Sequence, residues 1–221
     1  MVNATNAWIG HLYPEFQDKI IPTRGQVIHV QGKDVNLSPM GWNYGGEYLI
    51  QRPDASLIFG GGRRFSSAST TLSRLPPDPY PLHYSVMESR LTAEHAELGN
   101  TDDTTIDPSV SHFLHTFLPS QLPLTKTQGN PPPIASIREW TGIMGFSHDS
   151  HPYVGHDPSE LGKWVIGGFH GHGMVRIFLS ARALVGYLLG GEWPEWFPYG
   201  YRYHPFRRHT IGEVKTYLDE V

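Results

Sequence analysis

The sequence predicts a mixed α/β chain that contains both an antiparallel hairpin and a strand–turn–helix unit. Three observations carry that reading. Glu47-Tyr48-Leu49-Ile50-Gln51 and Ser56-Leu57-Ile58-Phe59 flank Arg52-Pro53-Asp54-Ala55, whose proline and aspartate suit a turn, so this stretch reads as a hairpin. Asp107-Pro108 sets a capping carboxylate before a proline at the first helical position, and Val110, Phe113, Leu114 and Phe117 then fall on one helical face. Lastly, the strand-like run Lys163-Trp164-Val165-Ile166 passes through a glycine-dense turn into the apolar stretch Met174 to Leu189.

The remaining elements follow in chain order. The first seven residues read as the end of a buried strand, with Val2 and Ala4 apolar and Asn6 at the turn. A chain that opens in mid-strand is unusual, because solvated termini seldom begin with core structure. Gln26 to Val30 is the next strand. After the hairpin, Gly60-Gly61-Gly62 marks a sharp turn or a close backbone approach. Residues 66–84, rich in Ser, Thr and Pro, read as a long surface loop, and residues 120–133 as a second loop. Between them the helix opened at Asp107 is expected to end at Pro119. Ile134 to Trp140 is a strand. The stretch from Met174 to Leu189 is apolar over most of its surface, which predicts full burial, and Gly190-Gly191 ends it. Trp193 to Arg208 reads as an aromatic, proline-rich tail packed on the body. No internal repeat is present.

Composition narrows the function classes. With 221 residues, 38% hydrophobic and 12% aromatic, the chain can bury a core and is not disordered by composition. The formal net charge of -4, with Lys and Arg scattered, makes no electrostatic case for nucleic acid. No run approaches the roughly 18 apolar residues of a membrane span. The opening Met1-Val2-Asn3-Ala4-Thr5-Asn6 lacks the basic and apolar segments of a secretory signal, so an intracellular, cytoplasmic setting is the default. The absence of cysteine removes disulfides, zinc–thiolate sites, thiol nucleophiles and cysteinyl cofactor links.

The sharpest local pattern is Gly167-Gly168-Phe169-His170-Gly171-His172-Gly173-Met174. A glycine-dense strand-to-helix turn aims unpaired N–H groups outward at the positive end of a helix dipole worth about half a charge. That is an anion site by construction; a tight turn needing glycine only for packing fits the spacing equally well. It is neither a Walker loop nor a Gly-x-Gly-x-x-Gly fingerprint. His148-Asp149-Ser150-His151 with His156 offers zinc or iron ligand types at loose spacing, and solvated loop histidines are the commoner outcome. Arg52, Arg63 and Arg64 follow two adjacent strands, where an arginine can clamp a substrate carboxylate, although a solvated arginine beside a turn is commoner. Asp102-Asp103 reads as a loop or capping pair, and Trp140 and Phe146 as core or pocket wall.

Several of these segments together resemble a known family. Glu139-Trp140-Thr141-Gly142-Ile143-Met144-Gly145-Phe146-Ser147, Asp149, Pro152-Tyr153-Val154-Gly155 and Gly168-Phe169-His170-Gly171-His172-Gly173-Met174 look like the carboxyl-terminal signature of the D-amino-acid oxidase-like FAD-dependent oxidoreductases. That family includes sarcosine, glycine and gamma-glutamylputrescine oxidases. Ala4-Thr5-Asn6-Ala7-Trp8, Pro22-Thr23-Arg24-Gly25-Gln26 and Gly60-Gly61-Gly62-Arg63 match in the same order, so the resemblance runs from residue 1 to about 190. Tyr48 to Pro53 and Asp102-Asp103 fit the branch known only as FAD-dependent oxidoreductases.

The resemblance implies oxidation of a C–N bond in a small amine or amino acid to an imine, with hydride transfer to FAD and oxygen as the acceptor. It implies that residues 1–26 and 140–195 belong to an FAD-binding domain of Rossmann type, that residues 27–139 form a mostly antiparallel substrate domain, and that 196–221 is a tail. Gly168, Phe169, Gly171, His172, Gly173 and Met174, with Trp140 and Gly142, are the implied cofactor-binding residues. His148, Asp149, Arg52 and Arg63 are the implied pocket candidates, and no metal is expected. With no cysteine the FAD is expected to be non-covalent, a histidyl link through His148 or His172 being the one covalent route left. Two departures stand out. Val175 occupies a position where sarcosine-oxidase relatives carry lysine or another polar group, and the family's opening strand, glycine-rich turn and helix, which hold the FAD diphosphate, match nothing here, so a truncated piece is expected. A non-catalytic remnant and a histidine-liganded metal hydrolase are the alternatives.

Overall fold

The computed structural model describes residues 1–32, 37–42, 46–67, 97–122, 134–147, 149–157 and 160–203. The chain divides into two compact units, Met1–Thr23 with Met144–Val221, and Arg24–Ile143. Strands β2 (Ile20–Val30) and β6 (Ser136–Ser147) each run from one unit into the other. Both are longer than the sequence suggests: β2 begins before Pro22, and β6 continues past Trp140 through Gly142 and Gly145.

The unit Arg24–Ile143 is built on a five-stranded sheet in the order β3-β4-β5-β2-β6. Strands β3 (Met40–Trp42), β4 (Glu47–Gln51) and β5 (Leu57–Gly61) pair antiparallel, and β5 pairs antiparallel with β2. The expected hairpin is present, closed by the Arg52 N–H donating to Ser56 O at 2.8 Å. Helix α2 (Pro108–Gln121) contributes Val110, Leu114 and Leu118 to a core with Ile28, Val30, Leu49, Leu57 and Phe59. Each such side chain, fully buried, contributes roughly 1.5–3 kcal/mol. Phe59 and Phe117 stack at 5.9 Å on the same interface.

Asp107 caps α2 as its sequence signature predicts, one carboxylate oxygen accepting from the Ser109 and Val110 N–H groups at 2.8 and 3.0 Å. Pro119, however, does not end the helix, which continues to Gln121. Proline cannot donate to the carbonyl four residues back. That carbonyl, on His115, accepts instead from the Ile134 N–H at 2.9 Å, so the missing bond is replaced from outside the helix.

The other unit holds a three-stranded sheet in the order β1-β8-β7, formed by β1 (Val2–Asn3), β7 (Tyr153–His156) and β8 (Trp164–Gly167). β1 runs parallel to β8, and β7 antiparallel to it. The alternation of a pleated strand sends side chains to both faces. Tyr153 and Val165 join Ile9, Tyr13, Phe16 and Ile20 in one core, while Val154 and Ile166 join Phe169, Ala183, Leu184 and Phe197 in another. The expected strand from Val2 to Asn6 is corrected in length. It is only two residues long, because Asn6 turns into the left-handed region at φ 49° and starts a 3-10 turn followed by the short helix α1 (Ile9–Leu12). It lies at the edge of the sheet, with Val2 half exposed.

A second correction concerns helix α3 (Gly173–Leu188). Full burial was expected, yet only Ser180, Ala183 and Leu184 are buried. Met174, Val175 and Phe178 are 96%, 78% and 77% exposed, and Ile177, Val185 and Leu189 are exposed as well. The sheet and the segment after α3 cover one narrow stripe of a helix that is apolar on more than one side. The Gly190-Gly191 ending is as expected, the two glycine N–H groups donating to Tyr187 O and Gly186 O at 3.1 Å each. After it, Trp193 stacks between Tyr187 and Phe197.

Candidate functional site

Asn6 organises the turn that links β8 to α3. From its left-handed backbone its Oδ1 accepts the Gly168 N–H at 2.8 Å and, more weakly, the Phe169 N–H at 3.4 Å. Gly145 on β6 makes room: a Cβ there would stand 2.9 Å from Asn6 Oδ1 and 3.0 Å from the Ala7 nitrogen. The same residue's carbonyl accepts the His170 N–H at 2.9 Å, and Phe169 O accepts the His172 N–H at 2.8 Å. Four of the turn's N–H groups are therefore spent inside the protein, where the sequence suggested that they all faced out.

What remains available is the helix start. His172 sits at the capping position of α3 without a side-chain cap, its Nδ1 lying 2.7 Å from His170 O. Among the described residues no side chain accepts from Gly173, Met174 or Val175, so these first-turn N–H groups carry the positive end of the dipole. Gly171, with φ 74°, and His172 are both exposed beside them. A side chain at Gly171 would force L-stereochemistry into a conformation it resists. The free donors at this helix start are backbone N–H groups, which favour an anion.

The loop after β6 joins this turn. His148 lies outside the described residues. Asp149 accepts the His151 N–H at 3.1 Å. Ser150, at φ 61°, places its Oγ 3.4 Å from His170 Nε2, and its carbonyl accepts from Arg176 at 3.2 Å. The histidines proposed together as metal ligands have separate neighbours: His151 is 5.5 Å from the Tyr201 ring, and His156 packs on Trp164 and Tyr187. Among the described residues no group of three His, Cys, Asp or Glu side chains gathers at metal-binding distance.

The unit Arg24–Ile143 holds the other candidates. Trp140 is half-buried on β6 with the Arg138 guanidinium 5.8 Å from its ring. Gly142 has nothing within 4 Å of where a Cβ would stand. Arg52 is exposed in the hairpin turn. Arg63 is half-buried after β5, lining a small cavity with Arg24, Gln26 and Glu97. Arg64 pairs with the buried Glu47 and stacks over Phe65 and Phe113. A wider cleft of about 440 Å³, lined by Phe65, Pro108, Ser109, His112, Phe113 and Thr116, contains none of the residues anticipated from sequence. Asp102 behaves as a loop-capping residue: the Thr104 and Thr105 hydroxyls and the Thr104 N–H hold its carboxyl at about 2.

Two residues with organising roles were not singled out from sequence. Asn6 bonds across 162 residues of chain, a pairing that no local spacing encodes, though asparagine is the side chain that best tolerates its backbone conformation. Arg24 forms a buried fork on Glu97 through Nε and Nη2, both at 3.0 Å, with Nη1 3.0 Å from Thr105 Oγ1. An arginine directly before Gly25, two residues after Pro22, was the available signal.

A strand, a glycine turn and a helix whose bare amino terminus faces out make an anion-accepting junction, and comparison with known proteins shows the family that carries it. The family model described as FAD dependent oxidoreductase (DAO) matches residues 1–186, and the chain belongs to this family. Similar solved structures include glycine oxidase from Bacillus cereus (TM-score 0.59, 14% identity, 88% of this chain and 44% of that one). L-amino acid deaminase from Proteus vulgaris gives 0.57 with 16% identity over 89% of this chain and 49% of that one. Fructosyl amine: oxygen oxidoreductase (Amadoriase I) from Aspergillus fumigatus gives 0.55 with 13% identity over 94% and 41%. These likenesses establish the mixed α/β fold of FAD-dependent oxidases, and the chain spans less than half the length of each. No curated protein matches the chain. No helix among the described residues is long and apolar enough to cross a membrane.

Proposed function

We propose that this chain is the carboxyl-terminal part of an FAD-dependent enzyme that oxidises a C–N bond of a small amine or amino acid to an imine. The observation that carries the reading is the uncapped start of α3 at the end of the Gly168–Met174 turn, in a chain of the FAD-dependent family. Bound FAD, held non-covalently, supplies the hydride acceptor, and oxygen is the terminal acceptor, so amine and oxygen become imine and hydrogen peroxide. The protein's own part is to bind and polarise. The N–H groups of Gly173, Met174 and Val175 would hold the flavin at the positive end of the α3 dipole and would stabilise negative charge on it without reorganising. Gly168 and Phe169, anchored by Asn6, fix the turn, and His172 and Met174 stand at its rim.

The unit Met1–Thr23 with Met144–Val221 carries the turn that would meet the cofactor, and the unit Arg24–Ile143 carries Trp140, Gly142 and the candidate arginines. Arg63, half-buried beside the Arg24–Glu97 pair, is better placed than the exposed Arg52 to meet a substrate carboxylate. The test is flavin absorbance of the enzyme carrying this chain, followed anaerobically while a panel of amino acids and secondary amines is added. Bleaching by one amine class, with peroxide released on admitting air, is the expected result. A protein that takes up no FAD, or whose flavin no amine bleaches, would sink the proposal.

A further inference from the structure

His170 holds the turn from an unfavourable position. Its φ is 51°, a region that favours glycine and asparagine, and it is followed at once by Gly171 in the same region. A histidine kept there must be held by its surroundings. Its ring lies flat on Phe146 of β6, with centroids 4.2 Å apart and planes at 24°. Its N–H donates to Gly145 O, and its carbonyl is 2.7 Å from His172 Nδ1. Its Nε2 is 3.4 Å from the hydroxyl of Ser150, another non-glycine residue in the left-handed region, and the Ser150 carbonyl in turn accepts from Arg176 in the first turn of α3. The 3.4 Å contact is weak, so the stack is the stronger hold. The contacts close a ring: β6 to His170, His170 to Ser150, Ser150 to Arg176, and Arg176 back along α3 to the turn.

We infer that His170 is a positioning residue, a clamp that fixes the Gly171–Val175 backbone by stacking on Phe146 and linking the 149–151 loop to the first turn of α3. Its effect on cofactor binding rests on the reading of that backbone as flavin-facing. A turn correctly formed about a tenth of the time binds about tenfold more weakly, and this is the penalty expected when the clamp is lost.

The test separates conformation from the ring. His170→Asn tolerates the backbone and discards the stack, whereas His170→Phe keeps the stack and discards the Ser150 contact. Amide hydrogen exchange at Gly168 and His172, whose N–H groups are bonded to Asn6 and Phe169, is expected to quicken about tenfold in His170→Asn, to quicken equally in Phe146→Ala, and to change little in His170→Phe. Exchange at Leu49 and Phe59 serves as the control for global unfolding. In the flavoprotein the same order is expected for FAD affinity: about tenfold weaker for His170→Asn and nearly restored by His170→Phe. Unchanged exchange in His170→Asn overturns the clamp. Quickened exchange with unchanged FAD affinity overturns its role toward the cofactor. A parent protein with no FAD affinity overturns the flavin reading of the turn, while the exchange order still decides the clamp.

Discussion

Arg24 and Glu97 meet as a two-pronged fork, both bonds 3.0 Å long, with the two side chains only 8% and 3% exposed. Ser66 and Asn100 also donate to the Glu97 carboxylate, so its remaining lone pairs are used. Removing one partner of such a pair leaves a buried charge without compensation, at about 3–5 kcal/mol. Glu97→Ala is expected to lower unfolding stability by that amount, and Arg24→Lys to rescue little, since an ammonium cannot reproduce the fork. Denaturant titration decides this, and a loss below about 1 kcal/mol would mean that water replaces the fork.

Asp107 divides its carboxylate between two tasks. One oxygen caps α2, while the other accepts from the Ser67 N–H and hydroxyl and shares the Ser66 hydroxyl with Glu97. Burial alone would raise its pKa, but the Ser67 hydroxyl, the Val110 and Ser67 N–H groups and the Ser66 hydroxyl outweigh it and hold the carboxyl at about 2. Unfolded, it titrates near 3.9, so between about pH 4 and pH 2 the unfolded chain binds more protons. The group's contribution is thus present above about pH 4 and is lost as pH falls toward 2. Asp107→Asn is expected to flatten acid destabilisation across that window, and Asp107→Ala to cost about 1 kcal/mol at neutral pH through the lost cap. Acid titrations of both variants by circular dichroism check the two statements separately.

Asn6 supplies an acceptor and a conformation, and two substitutions separate them. Asn6→Gly keeps the left-handed backbone and strands the Gly168 and Phe169 N–H groups, at about 1–3 kcal/mol. Asn6→Ala adds the backbone penalty, about 1–2 kcal/mol more. Asn6→Asp retains the acceptor and should stay near the parent. Equal stability for the Gly and Ala variants would show that the backbone relaxes freely there.

The open face of α3 has a consequence for handling the 221-residue chain alone. Its exposed Met174, Val175 and Phe178 form the apolar surface that drives self-association. The chain is expected to elute as oligomers in gel filtration. Phe178→Glu should shift it toward monomer while altering folding stability by no more than about 0.5 kcal/mol, because the side chain is 77% exposed. A large stability loss would place Phe178 in the core.

The elements legible in the sequence are those whose signals are local. Pro53-Asp54 made the hairpin turn, Asp107-Pro108 opened α2, and Gly190 closed α3. The misread ones depend on partners distant in sequence. Pro22 and Gly25 argue against a strand, yet β2, which lies between β5 and β6 in the sheet, runs through both. Pro119 stays helical because Ile134 supplies the bond that proline cannot. Hydropathy says that α3 has apolar surface, not what covers it. The glycine turn was legible as a site because glycines at a strand–helix junction have a mechanism. Asn6 was not, since an acceptor matched to two N–H groups across the chain leaves no periodic trace.

Trp193 lies nearly parallel between Tyr187 of α3 and Phe197, with planes at 18° and 11° and centroids 4.4 and 5.1 Å away. Three rings stacked in so fixed an arrangement are expected to give a near-ultraviolet dichroic band, readable without any bound dye. The segment from Trp193 to Tyr203 therefore carries a built-in optical gauge of its docking on α3. The band is expected to fade on undocking, which can be followed before any cofactor is added.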